Sequence, residues 1–278
     1  MSAAVRPWFC LALLAQAATL AAQDTGPVHD APYVPSPQYV VDEMLRLAAV
    51  GPQDLVYDLG SGDGRVVIAA ALKFGARGVG VERDPALVVQ SRVSAERAGV
   101  AGRVRFVQQD LFATDFLEAT VVTLYLSPNL NLALRPMLLR LRPGSRIVSH
   151  SSDLGEWKPD RRTSIRKDVL LWRVPAQVAG RWRSEFGPGK RRLEIEFSQR
   201  FQEIAASARL EGAPVDSWQA RLEADRLSFV IVENPERQDE ESLYFEGRVS
   251  GNLIEGTVGR GVGGARRVEQ WRAERAAP

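Results

Sequence analysis

The chain predicts an α/β fold, a mostly parallel sheet flanked by helices, followed by a small all-β antiparallel barrel or sandwich. Three observations predict it. Short apolar runs alternate with helical periodicities between residue 37 and about residue 175. The first of those runs breaks into glycines at alternate positions, Gly60, Gly62 and Gly64, at the point where a helix should start. Beyond Val174-Pro175 the texture changes to short segments of period two separated by turns.

The elements follow in order. Pro37 to Val50 carries Val40, Val41, Met44, Leu45, Leu47 and Ala48 at helical spacing, behind a Ser36 cap and a proline suited to a first turn. Strands are expected at 55–59, 77–82, 103–108, 120–126 and 145–150, with helices at 64–74, 85–99 and about 129–141. Asp168 to Val174 reads as a last apolar strand, with Arg161 to Arg166 as its hairpin partner. Eight more strands are expected at 179–186, 192–199, 202–210, 218–224, 226–232, 242–249, 252–258 and 266–274, and Glu233 to Glu241 reads as a solvated hairpin loop. That many consecutive strands suggest a meander closing on itself.

The glycine segment has the shape of a nucleotide-type cofactor loop, because a helix start offers unpaired N–H groups to an anionic group. A dinucleotide loop has the spacing G-x-G-x-x-G, but here Arg65 stands at the third glycine position, and Asp58 lies two residues before Gly60. The pattern D-x-G-x-G-x-G resembles motif I of class I methyltransferases, which bind S-adenosyl-L-methionine. Glu82 closes the second strand, where a carboxylate can accept from both ribose hydroxyls. NAD proteins use the same device, so Glu82 alone does not discriminate. Asp110 follows the third strand beside Leu111, which suits an adenine: the carboxylate accepts from the exocyclic amine and the leucine packs on the ring. The three acids lie in order at the carboxyl ends of successive strands, where open α/β sheets bind ligands. The methyl donor is therefore the expected cofactor. Gly60, Ser61 and Gly62 are expected to meet its methionine part through backbone groups, with Gly64 in the same loop. Asp58 is expected to order the loop and attract the cofactor's ammonium.

Further segments carry a closer resemblance. Pro32-Tyr33-Val34-Pro35-Ser36-Pro37, the stretch Asp58 to Arg65, Leu124-Tyr125-Leu126-Ser127-Pro128, Arg146-Ile147-Val148-Ser149 and Trp157-Lys158-Pro159 together resemble one family. It is the family of protein-lysine N-methyltransferases that includes the mitochondrial enzymes modifying ATP synthase and the adenine nucleotide translocase. The resemblance covers about residues 31–175. It implies a Rossmann-like seven-stranded class I methyltransferase fold, in-line methyl transfer and a protein lysine as acceptor, and it puts Tyr33 beside the methionine end of the cofactor, as a lid over it or else part of a docking loop. Two alternatives stand beside it: methylation of a small molecule, and a non-catalytic scaffold whose β-barrel holds a ligand.

The acceptor side is sought at the end of the fourth strand. Tyr125 offers an aromatic wall or a hydroxyl to an incoming amine, or else is a core-edge tyrosine. Asn129 offers a side-chain carbonyl to orient an amine, or else caps a helix. His150 ends the fifth strand as a base or, more often at such a position, a structural residue. Asp63 is expected to order the loop, and Arg65 to lie on the helix surface.

Composition bounds the rest. The 278 residues suit two domains, 37–175 and 176–278, behind a segment 1–22 and a Pro-rich linker 23–36. Lys+Arg total 36 and Asp+Glu 34, interspersed, for a net charge of +2, so no basic nucleic-acid surface is expected. Cys10 is the one cysteine, which excludes an internal disulfide, and with His29 and His150 the two histidines, no metal site is expected. Arg6 precedes an apolar run from Trp8 to Ala22 that has the anatomy of a signal peptide or a short membrane anchor. The chain is accordingly expected to be exported to the periplasm or anchored in the inner membrane, with membrane association through the N-terminus. A cytosolic face would agree best with the supply of the methyl donor.

Overall fold

Among the described residues the first element is a helix held by its apolar stripe: α1, Gln38–Leu47, buries Val40, Val41, Met44, Leu45 and Leu47. A computed structural model describes residues 34–233, 242–260 and 267–276. The signal or anchor segment, the linker through Tyr33 and the loop after Glu233 therefore lie outside the described residues. Ala31–Pro278 cluster as one unit.

After α1 the chain alternates β1 (Leu55–Leu59), α2 (Arg65–Phe74), β2 (Arg77–Glu82), α3 (Pro85–Arg97), β3 (Val104–Gln108), a 3-10 turn (Leu111–Ala113), β4 (Val121–Leu124), α4 (Pro128–Leu138) and β5 (Arg146–His150). A hairpin, β6 (Arg161–Ile165) and β7 (Lys167–Arg173), completes a seven-stranded sheet ordered β3-β2-β1-β4-β5-β7-β6. The strands β1 to β5 pair in parallel, and β7 runs antiparallel to both neighbours. One face packs under α1, α2 and α3 through Val56, Val67, Val88, Phe106 and Val121. The other packs under α4 through Leu59, Val81, Leu124, Leu134 and Trp172. The side-chain period of two sends neighbouring strand residues to opposite cores. It also puts Asp58, between Tyr57 and Leu59, on the side of the glycine loop and α2.

The second part is a closed eight-stranded barrel. Its strands are β8 (Gly180–Phe186), β9 (Arg191–Arg200), β10 (Glu203–Leu210), β11 (Ala213–Glu223), β12 (Arg226–Val232), β13 (Ser242–Ser250), β14 (Leu253–Arg260) and β15 (Arg267–Arg275). Each pairs with the next in antiparallel sense, and β15 returns to β8. Two expectations change here. The strand expected at 218–224 begins at Ala213, because a bulge between Trp218 and Arg221, with Gln219 at φ 52°, interrupts the alternation that would have shown it. Glu233, expected in a solvated loop, forms ion pairs with Arg191 and Arg260.

The barrel interior is filled by rings. Phe229 stacks on Phe245 at 4.7 Å, Trp271 stands edge-on to both at 5.8 and 5.0 Å, and Phe186 and Phe197 close the cluster at 5.4 and 5.7 Å. These side chains occupy the position a ligand would take in a binding barrel. Cross-strand pairs such as Arg181–Glu196 and Arg183–Glu194, both at 3.6 Å, cover the wet face and add little stability.

The barrel leans on the sheet through the β9–β10 turn. Phe201 stacks on Trp157 at 5.8 Å and 11°, with the Arg135 guanidinium 5.5 Å from its ring. Trp157 also receives a hydrogen bond at its carbonyl from Trp172 Nε1, at 2.6 Å. A second contact joins Ala176 N–H to the Ala224 carbonyl at 2.8 Å, near Gly144 and hence at the amino end of β5. Both contacts lie away from the carboxyl ends of the parallel strands. Trp157→Ala is expected to cost about 3–5 kcal/mol of unfolding free energy, since a fully buried indole is removed between two rings. Urea denaturation followed by circular dichroism measures it.

Candidate active site at the carboxyl edge of the sheet

The loop after β1 turns sharply enough to require glycine at three places: Gly60, Gly62 and Gly64 have φ of 82°, 54° and 80°. Four of its donors are committed to the protein. Gly60 N and Ser61 N both donate to the Val81 carbonyl at 2.9 Å, Gly62 N donates to Glu82 Oε2 at 2.9 Å, and Gly64 N donates to the Ser61 carbonyl at 2.9 Å. At the start of α2, Arg65 N donates to Asp63 Oδ1 at 3.2 Å. For Gly60, Ser61, Gly62 and Gly64 the expectation of free N–H groups facing a ligand is therefore corrected. The loop is pinned to β2. Ser61 Oγ is buried without a partner among the described residues.

Asp58 is buried, and Thr123 Oγ1, the residue opposite it in β4, donates to its Oδ1 at 2.5 Å. Burial, reinforced by the negative charges of Glu82 and Asp63, pushes this carboxyl up to about 7 against the Thr123 hydrogen bond, which favours the anion. Arg65 forks onto Asp63, with Nη2 2.6 Å from Oδ2, and its Nη1 donates to the Ser36 carbonyl at 2.7 Å. Arg65 is thus a strap between the loop and the segment before α1, not a helix-surface residue. Ser36, assigned to a linker, is buried and bonded to His150 Nδ1 at 3.0 Å.

Glu82 is half-buried at the end of β2. Besides Gly62 N–H on Oε2, its Oε1 accepts from Arg83 N at 2.8 Å and Asp84 N at 2.9 Å. A carboxylate offers about four acceptor positions, so roughly one remains, on Oε2. The expectation that it takes both ribose hydroxyls narrows to one unless it releases a backbone donor. Asp110 caps the 3-10 turn through Oδ1, which accepts from Phe112 N at 2.7 Å, and Oδ2 has no hydrogen bond among the described residues. Leu111 packs, partly buried, against the core on the α4 face of the sheet.

On the other side of the loop, Leu126 Cδ2 lies 3.0 Å from where a Cβ on Gly60 would be, so the segment after β4 walls the glycine turn. Tyr125 stacks on His150 at 4.0 Å and 25°. His150 is 2 % exposed, and its Nε2 has no partner among the described residues. Burial, with the Lys167 charge second, holds the imidazole down at about 4, so it is neutral at pH 7 and too weak a base to keep a proton taken from an ammonium. Lys167 Nζ donates to Tyr125 Oη at 3.4 Å. Asn129 is exposed on the second residue of α4, and the cap is Ser127, whose Oγ accepts from Leu130 N at 3.4 Å. Tyr33 lies outside the described residues.

Three contributors were missed from sequence. Thr123 and Lys167 carry no local signal. Asn131 does: it is a polar residue on the apolar stripe of α4, between Leu130 and Leu134. It is fully buried, and its Nδ2 reaches Ser149 Oγ and the Ser152 and Asp153 carbonyls at 3.1–3.2 Å, fixing the connection after β5.

The seven-stranded sheet with its glycine turn and acids at the ends of β1, β2 and β3 defines a class I methyltransferase, and the protein is an S-adenosyl-L-methionine-dependent methyltransferase. A family described as the ANTKMT methyltransferase domain matches residues 58–161. A protein-lysine N-methyltransferase of Saccharolobus islandicus is 44% identical over 151 residues, 54% of this chain and 94% of that protein. The chain belongs to this family of protein-lysine N-methyltransferases. A mouse lysine N-methyltransferase of the ATP synthase is 38% identical over 140 residues, 50% of this chain and 56% of the relative, so the chain spans little more than half the length of that protein. A crystal structure described as an RNA methyltransferase from Salinibacter ruber, in complex with S-adenosyl-L-homocysteine, is 54% identical with a TM-score of 0.51, covering 52% of this chain and 96% of that one.

The residues fit the cofactor. Asp58 is a buried carboxyl with acids near it and no cation bonded to it among the described residues, which an ammonium would relieve. Glu82 Oε2 and Asp110 Oδ2 keep acceptor positions on adjacent strand ends, and the Gly60 turn leaves backbone uncovered by any Cβ.

Proposed function

We propose that the protein methylates the side-chain amine of a protein lysine. The observation that supports this reading is a lysine amine held on Tyr125: Lys167 Nζ lies 3.4 Å from Tyr125 Oη and 5.8 Å from the centre of its ring. The bound cofactor supplies an electrophilic methyl group on a positively charged sulfur. Asp58 and the Gly60 carbonyl hold the ammonium of its methionine part, Glu82 Oε2 a ribose hydroxyl, and Asp110 Oδ2 with Leu111 the adenine. Tyr125 holds the acceptor amine in line by ring and hydroxyl. Asn129, exposed at the start of α4, orients the incoming chain. His150 supports the Tyr125 ring and does not take the proton, which leaves to solvent before attack.

Tyr125→Ala should lower kcat about 10- to 100-fold, the cost of losing alignment, while S-adenosylhomocysteine affinity by calorimetry changes little. An equal loss of affinity would move Tyr125 to the cofactor. The acceptor class is tested by incubating the protein with methyl-labelled cofactor and a cell extract. Label on protein bands, released as methyl-lysine on hydrolysis, is expected. Label confined to small molecules or to nucleic acid would overturn the lysine reading. The interspersed charges and net charge of +2 speak against RNA as the acceptor.

A further inference from the structure

The hairpin of β6 and β7 reaches past the sheet at the carboxyl edge. His150, the last residue of β5, pairs with Val169, so the residues of β7 before Val169 extend beyond that strand. The turn is tight: Arg166 sits alone at the tip with φ 70°, and Ile165 pairs directly with Lys167. Lys167 is exposed, and from this overhang its Nζ meets the hydroxyl and the ring of Tyr125. Tyr125 follows Leu124, which pairs with Leu59 at the entry to the glycine turn, and precedes Leu126, which walls that turn.

Lysine is scarce in this chain: four of the 36 basic residues are lysines, namely Lys73, Lys158, Lys167 and Lys190. Lys73 is bound to Asp42 at 2.6 Å and Lys158 to Glu203 at 2.5 Å. Lys190 sits in the turn between β8 and β9 of the barrel. One lysine in four therefore lies on the acceptor tyrosine, tethered there by a two-strand hairpin. A tethered nucleophile reacts as if at high local concentration.

We propose that Lys167 is a self-methylation site, modified on Nζ by the same molecule that carries it. This rests on the lysine reading of the active site. The Nζ ammonium first gives one proton to solvent. The lone pair of the neutral amine then forms a bond to the methyl carbon of S-adenosylmethionine as the carbon–sulfur bond breaks, its electron pair staying on sulfur. The products are a methylammonium at Lys167 and the neutral thioether S-adenosylhomocysteine.

Peptide mass spectrometry of the full chain tests this, on the protein as purified and after incubation with S-adenosylmethionine and no other protein. Methyl groups are expected at Lys167, at a fractional rate independent of protein concentration, and K167R is expected to abolish label incorporation into the isolated chain. Methylation at Lys73, Lys158 or Lys190 in its place, or a rate proportional to protein concentration, would overturn the proposal. So would an unmodified Lys167 beside labelled proteins in a cell extract, an outcome that leaves the lysine reading standing. No label on any lysine, in the chain or in the extract, would remove both.

Discussion

Asp58→Ala should weaken S-adenosylhomocysteine binding by about 10- to 100-fold while the unfolding midpoint stays near that of the native chain. The size follows from losing one charge-assisted hydrogen bond of about 1.5–3 kcal/mol to the ligand's ammonium. The fold is spared because this carboxyl is buried next to Glu82 and Asp63, an arrangement that opposes its ionisation. Thr123 Oγ1, deprived of Oδ1, still lies 3.4 Å from the Tyr57 carbonyl. The same residue sets a pH dependence. With its carboxyl at about 7 in the free protein, well above the ordinary 3.8, Asp58 carries a proton below neutrality. An ammonium favours the anion, so binding must expel that proton. Affinity should therefore rise about tenfold per pH unit between pH 5 and 7 and level off above. Calorimetry across this range should give a nearly flat profile for Asp58→Asn, and a native profile that is equally flat would exclude Asp58 as the ammonium's partner.

Gly64→Ala is expected to act through stability. Gly64 has φ of 80°, and a Cβ there would sit 2.6 Å from two atoms of the Phe106 ring and 2.8 Å from Ser91 Cβ. The left-handed backbone costs about 1–2 kcal/mol for a residue with a side chain, and forcing a methyl into a packed contact about 1–3 more. A loss of about 2–5 kcal/mol should appear as a lower Tm and a lower urea midpoint. The neighbouring strand shows the same crowding: a Cβ at Gly80 would stand 2.5 Å from Phe106 and 2.7 Å from Ser61 Oγ. The glycines at these places let α2 and the loop close down on β2. The two variants separate cleanly, since one should lose ligand and keep its fold, whereas the other should lose fold first.

What could be read from sequence is what strand ends announce locally. Asp58, Glu82 and Asp110 each follow an apolar run that breaks at a glycine or an acid, so their order along the carboxyl edge was legible. The barrel strands were legible because one face is wet, and period two runs cleanly along β8 and most of β9, whereas the Gln219 bulge interrupts it in β11. The partners were not legible. Ser36 meets His150 across 114 residues, and Lys167 meets Tyr125 across 42, through an antiparallel strand whose register no local pattern reports. The loop donors misled for a physical reason: a glycine turn able to offer N–H groups to a ligand satisfied them on the Val81 carbonyl and the Glu82 carboxylate. Arg65 looked like a surface residue because its partner Ser36 lies 29 residues upstream.

The most direct test is a crystal structure of the full chain with S-adenosylhomocysteine. The ligand should lie along the carboxyl edge, with a ribose hydroxyl on Glu82 Oε2, the adenine amine on Asp110 Oδ2 beside Leu111, the ammonium at Asp58 and the Gly60 carbonyl, and its sulfur facing Tyr125. A ligand seated elsewhere, or one that leaves those three carboxylates without contact, would contradict the account.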